Sequence, residues 1–222
     1  MKAYETILFD LDGTLTDPGL GITNSVIHAL KRLKISPPPR EELYKFIGPP
    51  LHESFEVFYS LTRDEAMTAV DYYREYYKEQ GIFENRLYDG IPSLLEHLSE
   101  KDKKLILATS KPEVFAKRIL EHFNIDKYFS SVCGALLDGS RTDKSEVIAY
   151  ALNDTHRLDS TIMVGDRKHD IIGATKTGID SIGVLFGYGS AGELMDAGAT
   201  YICETVNDIE KIINRSQDEI SS

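Results

Sequence analysis

Two pairs of aspartates stand at spacings that could support metal-assisted chemistry. The first pair, Asp10 and Asp12, follows the apolar run Ile7-Leu8-Phe9. Because side chains alternate along a strand with a period of two, both carboxylates should point to the same side where the strand ends. Two adjacent carboxylates repel each other unless a cation neutralises them or one holds a proton. The pair therefore predicts a site for a divalent cation.

The second pair, Asp166 and Asp170, follows the apolar segment 161–164. A spacing of four places both carboxylates on one face of the helical turn that should begin there. If both preceding strands belong to one parallel sheet, their carboxyl ends form the crevice where ligands bind, so all four aspartates would meet. Carboxylate oxygens suit Mg²⁺, which binds a few carboxylates and keeps several waters.

The elements that must position these residues follow from the hydropathy pattern. Short apolar runs alternate with amphipathic helical stretches, which is typical of a parallel sheet covered by helices on both faces. The predicted strands are 6–11, 105–108, 131–134, 161–164, 181–186 and 199–203. We therefore expect an α/β fold.

The interval between the first two strands differs from the rest of the chain. From residue 17 to 87 only helical patterns occur, separated by the proline-rich segments 37–39 and 48–50. Proline cannot donate a hydrogen bond within a helix and restricts the residue before it. The pattern predicts an α/β core of residues 1–16 and 88–222 that carries an inserted all-helical domain of residues 17–87.

Four motifs, in order along the whole chain, resemble those of the haloacid dehalogenase-like (HAD) hydrolases. They are Asp10-x-Asp12-Gly13-Thr14, Thr109 at the end of the second strand of the core, Lys144 at the start of a helix, and Gly165-Asp166-x-x-x-Asp170. The resemblance implies a Rossmann-like parallel-sheet core and identifies the helical insert as a C1 cap. It is greatest to phosphoglycolate phosphatases and 5′-nucleotidase-like phosphatases. These imply Mg²⁺-dependent hydrolysis of a small phosphomonoester, phosphoglycolate or a nucleoside 5′-monophosphate, through an aspartyl-phosphate.

The resemblance also implies a role for each matching residue. Asp10 would be the nucleophile that attacks phosphorus, and Asp12 would protonate the leaving group and then take a proton from water. Thr109 and Ser110 would bind phosphoryl oxygens, and Lys144 would stabilise the charge that develops on them. Many relatives have Asn where this chain has Ser110. A backbone N–H at this position could therefore bind phosphate in place of the side chain.

The implied metal site draws on all four aspartates. Mg²⁺ would be bound by Asp10, by the backbone carbonyl of Asp12 and by Asp166. Asp170 would act through a metal-bound water or by orienting Lys144. The expected metal-binding residues are therefore Asp10, Asp12, Asp166 and Asp170.

Other activities share parts of this pattern. A phosphomutase of the β-phosphoglucomutase type would use Asp10 and Asp12 but return the phosphoryl group to an intermediate. A pyrophosphatase is a further alternative, because pyrophosphate presents the same phosphoryl group to the core. Dehalogenases of the family lack the second aspartate, so Asp12 counts against that activity. A noncatalytic binding module would show no Mg²⁺-dependent turnover. Substrate choice should lie in the cap, where segment 48–52 is either a substrate-facing loop or an ordinary interhelical turn.

One segment imitates a dinucleotide-binding fingerprint. Residues 187–192, Gly-Tyr-Gly-Ser-Ala-Gly, satisfy G-x-G-x-x-G after a predicted strand. Only 30 residues follow it, too few for the rest of a mononucleotide-binding half. We interpret the segment as a glycine-rich turn at the rim of the site.

Composition limits the partners. Lys plus Arg is 25 and Asp plus Glu is 36, giving a formal net charge of −11 that disfavours nucleic-acid polymers and anionic membranes. Cys133 and Cys203 lie in apolar runs without CxxC spacing and predict buried thiols in a reducing compartment. No signal peptide and no apolar run of about 18 residues is evident. We expect a cytoplasmic protein that acts on a small phosphorylated metabolite.

Overall fold

The computed structural model describes residues 4–138, 140–153 and 157–218. The strands are β1 (Thr6–Phe9), β2 (Thr16–Asp17), β3 (Arg86–Leu87), β4 (Lys104–Pro112), β5 (Ser131–Ala135), β6 (Thr161–Gly165), β7 (Asp180–Val184) and β8 (Tyr201–Cys203). The α-helices are α1 (Gly19–Arg32), α2 (Leu51–Tyr59), α3 (Arg63–Tyr76), α4 (Ile91–Glu100), α5 (Glu113–His122), α6 (Lys144–Ala151), α7 (Lys168–Thr177), α8 (Ala191–Asp196) and α9 (Val206–Asp218).

The chain divides into two compact units. One comprises Met1–Thr16 and Leu87–Ser222, and the other comprises Asp17–Arg86. The two boundaries fall within the short strands β2 and β3, which pair in a two-stranded sheet of their own. The second boundary lies one residue before the predicted end of the insert at residue 87.

The first unit is built on a six-stranded parallel sheet in the order β5-β4-β1-β6-β7-β8. The predicted α/β class with a parallel sheet is confirmed. All four residues of β1 are buried, as expected for a strand with both faces covered. On one side of β1 the sheet continues through β4 to β5, and on the other side it continues through β6 and β7 to β8. The order therefore reverses between β1 and β6, the position where ligand crevices form in such sheets.

Strand register brings the ends of β1 and β6 together. Phe9 lies opposite Leu107 of β4 and Val164 of β6. The N–H of Asp10 donates to the carbonyl of Val164 at 2.9 Å. The residues that follow β1 and β6 therefore leave the sheet side by side at the point of reversal.

The second unit contains α1, α2 and α3 with a 3₁₀ helix at Arg40–Phe46 and a π-helical segment at Tyr77–Gly81. It contains an aromatic cluster in which the ring of Phe46 lies 5.0 Å from that of Phe55 and 5.2 Å from that of Phe58. His52 lies in the first turn of α2. A contact between segment 48–52 and substrate stays a prediction.

The prediction that Cys133 and Cys203 are buried free thiols is confirmed. Within the described ranges, none of the helices combines the length and the apolar composition needed to cross a membrane.

Candidate active site

Three buried aspartates meet beyond the carboxyl ends of β1 and β6. Asp10 follows β1, Asp166 follows β6, and Asp170 lies in the first turn of α7. Each offers a carboxylate oxygen, and these oxygens all lie within 4.8 Å of one another. The Asp12 carboxylate is not part of this group and faces Lys111 instead. Coordination through the backbone carbonyl of Asp12 stays a prediction.

Lys144 contacts two of these carboxylates. As the first residue of α6, it follows Asp143, whose carboxylate accepts from the N–H of Ser145. Its Nζ lies 2.6 Å from Oδ1 of Asp10 and 2.8 Å from Oδ1 of Asp170. Burial alone would lower the pKa of Lys144, but the two carboxylates raise it above its ordinary value. Lys144 is therefore a buried ammonium ion.

The charges of this cluster do not balance. Three carboxylates and one ammonium ion leave a formal charge of −2 when all are ionised. Burial, together with the charges of Asp170 and Asp10, raises the pKa of Asp166 well above its ordinary value. Burial also raises the pKa of Asp170 to about 6, although Lys144 opposes the shift. One oxygen of Asp166, Oδ1, is buried without a hydrogen-bond partner.

A divalent cation fits this arrangement. It would cancel the formal charge of −2 and give Oδ1 of Asp166 a partner. The available ligands are all carboxylate oxygens, which favour a hard cation such as Mg²⁺ over metals that prefer nitrogen or sulfur. The residues that could hold the ion are Asp10, Asp166 and Asp170.

The glycine-rich segment packs against Asp166. The N–H of Tyr188 donates to Oδ2 of Asp166 at 2.7 Å. A Cβ added at Gly189 would lie 1.9 Å from the backbone oxygen of Asp166, so any larger residue would displace that aspartate. Residues 187–190 thus lie in the connection from β7 to α8 beside Asp166, whereas Ala191 and Gly192 belong to α8. Its glycines permit close approach of the backbone to Asp166.

Asp12 has its own buried cation, which the sequence analysis missed. The Nζ of Lys111 donates to Oδ2 of Asp12, and the two side chains are 6% and 14% exposed. Burial raises the pKa of Asp12, and the Lys111 ammonium opposes the rise. The available signal was the position of Lys111 two residues after Thr109, at the end of a central strand.

The predicted phosphate-binding residues Thr109 and Ser110 lie among the last four residues of β4, which continues to Pro112 and does not end at residue 108 as predicted. Thr109 is 2% exposed, and its Oγ1 accepts from the N–H of Lys111 at 3.2 Å. A hydroxyl that accepts one hydrogen bond still has its own proton to donate. Ser110 is half-buried beside it. The structure therefore brings Thr109, Ser110 and Lys144 to the carboxyl edge of the sheet, where the Nζ of Lys144 also donates to the carbonyl of Ala108 at 2.9 Å.

Comparison with known protein families identifies the family of this chain. The sequence profile described as haloacid dehalogenase-like hydrolase matches residues 7–184, which include Asp10, Asp12, Thr109, Lys144, Asp166 and Asp170. The chain is a haloacid dehalogenase-like hydrolase. The resemblance inferred from the motifs is confirmed.

Several proteins are similar to this HAD hydrolase over most of its length. A 5′-nucleotidase from Pseudomonas aeruginosa is 45% identical over 95% of this chain and 96% of its own. The tyrosine-protein kinase PtkA from Mycobacterium tuberculosis is 39% identical over 95% of this chain and 72% of its own. A phosphoglycolate phosphatase from Agrobacterium fabrum is 28% identical over 82% of this chain and 80% of its own.

A solved structure of a predicted phosphatase is also similar to this chain. The crystal structure of a predicted phosphatase from Clostridium acetobutylicum superimposes with a TM-score of 0.93 at 46% identity, covering 96% of this chain and 100% of that one. The chain is thus a HAD-family enzyme of the phosphatase type.

Proposed function

We propose that this HAD phosphatase hydrolyses a small phosphomonoester with Mg²⁺ through an aspartyl-phosphate on Asp10. The observation that carries the proposal is the buried cluster of Asp10, Asp166 and Asp170 joined to Lys144, whose unbalanced charge suits one divalent cation. Catalysis is assigned to the unit that holds this cluster. Substrate selection is assigned to the inserted unit Asp17–Arg86.

The first chemical step is attack by Asp10 on the phosphorus atom. Lys144 contacts Oδ1 of Asp10, so we assign the attack to Oδ2. A bond forms between Oδ2 and phosphorus as the bond from phosphorus to the ester oxygen breaks. Asp12 gives its proton to that oxygen, and the alcohol leaves.

The second step releases phosphate. Asp12, now a carboxylate, takes a proton from a water molecule whose oxygen attacks the phosphorus. The bond between phosphorus and Oδ2 of Asp10 breaks, which restores the free carboxylate and the protonated Asp12. Inorganic phosphate is the product.

The cations of the site would stabilise the negative charge of the phosphoryl group. Lys144 and the hydroxyl of Thr109 would stabilise its equatorial oxygens during both steps. Mg²⁺, when bound, supplies the positive charge that allows an anionic nucleophile and an anionic ester to approach each other.

The relatives favour a nucleoside 5′-monophosphate as substrate over phosphoglycolate. The 5′-nucleotidase is 45% identical to this chain, whereas the phosphoglycolate phosphatase is 28% identical. A panel of both esters, pyrophosphate, glucose 1-phosphate, and ATP with a tyrosine peptide tests this order. Release of inorganic phosphate fastest from a nucleotide supports it. Glucose 6-phosphate would indicate a mutase, and phosphotyrosine would indicate a kinase.

Replacing Asp10 with Asn tests the mechanism. Because the amide cannot form the aspartyl-phosphate, we expect kcat to fall at least about 10⁴-fold. The far-ultraviolet circular dichroism spectrum should be unchanged. Measurement of phosphate release by the folded variant decides the matter, and wild-type kcat would refute a role for Asp10 as nucleophile.

We also propose a reducing, cytoplasmic location. The support is that Cys133 and Cys203 are both buried free thiols in the folded protein.

A further inference from the structure

One carboxylate oxygen of Asp12 accepts a hydrogen bond, and the other has no hydrogen-bond partner. The Nζ of Lys111 donates to Oδ2, and both side chains are largely buried. Oδ1 of Asp12 is buried without a hydrogen-bond partner. Buried polar atoms are nearly always paired, so a single unpaired oxygen on a fixed carboxylate marks a position for a proton or a reacting group.

The position of Lys111 depends on an irregularity in β4. Ala108 pairs with Cys133 and Pro112 pairs with Ala135, so four steps along β4 lie opposite two steps along β5. Such a bulge takes residues out of the ladder and redirects their side chains. Here the displaced residues include Lys111, whose N–H turns to Oγ1 of Thr109.

Gly134 of β5 makes room for this bulge. It lies between the two paired residues of β5, opposite the displaced part of β4. A Cβ at this position would lie 2.6 Å from the backbone oxygen of Lys111 and 2.9 Å from the N of Glu113. A side chain at residue 134 would therefore push Lys111 away from its present place.

We propose that Lys111 is a positioning residue for acid–base catalysis: it fixes Asp12 through Oδ2, so that Oδ1 is the oxygen that delivers and recovers the proton. The proposal rests on the proposed function, in which Asp12 protonates the leaving group. In the first step the proton on Oδ1 passes to the ester oxygen as the bond from phosphorus to that oxygen breaks. In the second step Oδ1 takes a proton from the attacking water. Lys111 itself exchanges no proton.

Leaving-group dependence tests the proposal. An alkyl phosphate needs a proton on its departing oxygen, whereas p-nitrophenolate leaves without one. The value of kcat/KM reports the step in which the alcohol leaves. For Lys111→Met we expect kcat/KM to fall about 10²- to 10⁴-fold for the alkyl phosphate and less than about tenfold for p-nitrophenyl phosphate. Equal losses on both esters would overturn the proposal.

Three further variants separate positioning from folding. Lys111→Arg keeps a cation and should retain most of the alkyl phosphatase activity; a loss as large as that of Lys111→Met would count against the proposal. Gly134→Ala displaces the Lys111 backbone without removing its charge, and should show the same selective loss on the alkyl ester. Lys103→Met is the matched control. Lys103 donates to the carbonyl of Tyr4 before the start of β4, and its removal should leave the ratio of the two kcat/KM values unchanged.

The variant Asp12→Asn distinguishes this proposal from the proposed function. If the wild type releases phosphate from neither ester, the proposed function fails. If Asp12→Asn loses activity equally on both esters, Asp12 is not the acid, and the mechanism fails. If Asp12→Asn is selective for the alkyl ester and Lys111→Met is not, only the assignment of Lys111 is wrong.

Discussion

At the scale of single side chains, buried lysines organise the candidate site. Lys144 contacts Asp10, and Lys111 contacts Asp12. These are the two aspartates to which the mechanism gives the bond-forming and proton-transfer roles. Each pair brings a positive charge to a carboxylate that lies largely out of contact with water. The same pairs hold the carboxylates in fixed orientations, which catalysis requires.

The charge of Asp166 is compensated differently from those of Asp10 and Asp12, and this difference predicts how a variant at this position should behave. Its Oδ2 accepts from a backbone N–H, its Oδ1 is buried without a hydrogen-bond partner, and burial raises its pKa. We expect Asp166→Asn to increase the free energy of unfolding of the metal-free protein by about 1–3 kcal/mol, because it removes a buried charge that lacks compensation. Urea unfolding in EDTA measures this change.

The same variant should lose its response to Mg²⁺. The wild type should become more stable and active when Mg²⁺ is added, whereas Asp166→Asn should change little in either property. A variant that is less stable than the wild type in EDTA, or that is activated by Mg²⁺ as strongly, would contradict the assignment of Asp166 as a metal ligand.

At the scale of secondary-structure elements, the site depends on where strands end and on how their ends are shaped. Parallel register places the ends of β1 and β6 side by side. The bulge in β4 redirects Lys111, and the glycine-rich turn after β7 packs against Asp166. The strand register, the bulge and the turn together set the positions of the side chains to which we assign proton transfer and metal binding.

The inserted unit offers a prediction about its own helices. Helix α3 begins with a capping box in which the N–H of Glu65 donates to Oγ1 of Thr62 and the N–H of Thr62 donates to the Glu65 carboxylate. We expect Thr62→Ala to lower the free energy of unfolding by about 1 kcal/mol. The matched control is Thr68→Ala, because Thr68 lies inside the same helix and alanine favours a helix interior. Urea unfolding should show little change or a slight gain for the control. Equal losses would exclude capping as the cause.

The capping box also has a definite dependence on pH. Hydrogen bonds from the backbone and side chain of Thr62 lower the pKa of Glu65. A carboxyl with a lowered pKa in the folded state stabilises the protein above its unfolded pKa, and this stabilisation disappears as the pH falls through the folded value. The melting temperature of Glu65→Gln should therefore be lower than that of the wild type at pH 7. The two should converge below about pH 4.

At the scale of the whole molecule, the acidic charge and the anionic substrate are compatible because charge is local. The chain carries a formal net charge of −11, yet Lys144 and Lys111 place two buried positive charges at the site. A divalent cation would add to them. Net charge affects encounter with large polyanions, whereas the binding of one phosphoryl group depends on charges within a few ångströms.

Metal binding should therefore stabilise the whole catalytic unit. A ligand that binds only the folded state increases stability by about 2.7 kcal/mol when its concentration is 100 times its dissociation constant. We expect the melting temperature to rise with Mg²⁺ concentration and activity to vanish in EDTA and return with Mg²⁺. Calorimetry and phosphate release measure the two effects. Full activity in EDTA would refute the requirement for a divalent cation.

Sequence alone predicted the parallel α/β sheet and the positions of its strands, because buried parallel strands are continuous apolar runs that differ from their surroundings. It also predicted that Asp10, Asp12, Asp166 and Asp170 would meet, since strand ends in one sheet share an edge. The carboxylates of Asp10, Asp166 and Asp170 do meet, whereas that of Asp12 faces Lys111. The family was recognisable from the same residues because its chemistry needs fixed residue types at strand ends.

The tertiary structure decided what depends on register and on close approach between distant segments. The pairing of Lys111 with Asp12 joins residues 99 positions apart and needs both the bulge in β4 and a glycine in β5. Likewise, only the fold shows that Tyr188 supports Asp166. No local pattern encodes such contacts, because a one-residue change in strand register would move each side chain to the other face of the sheet.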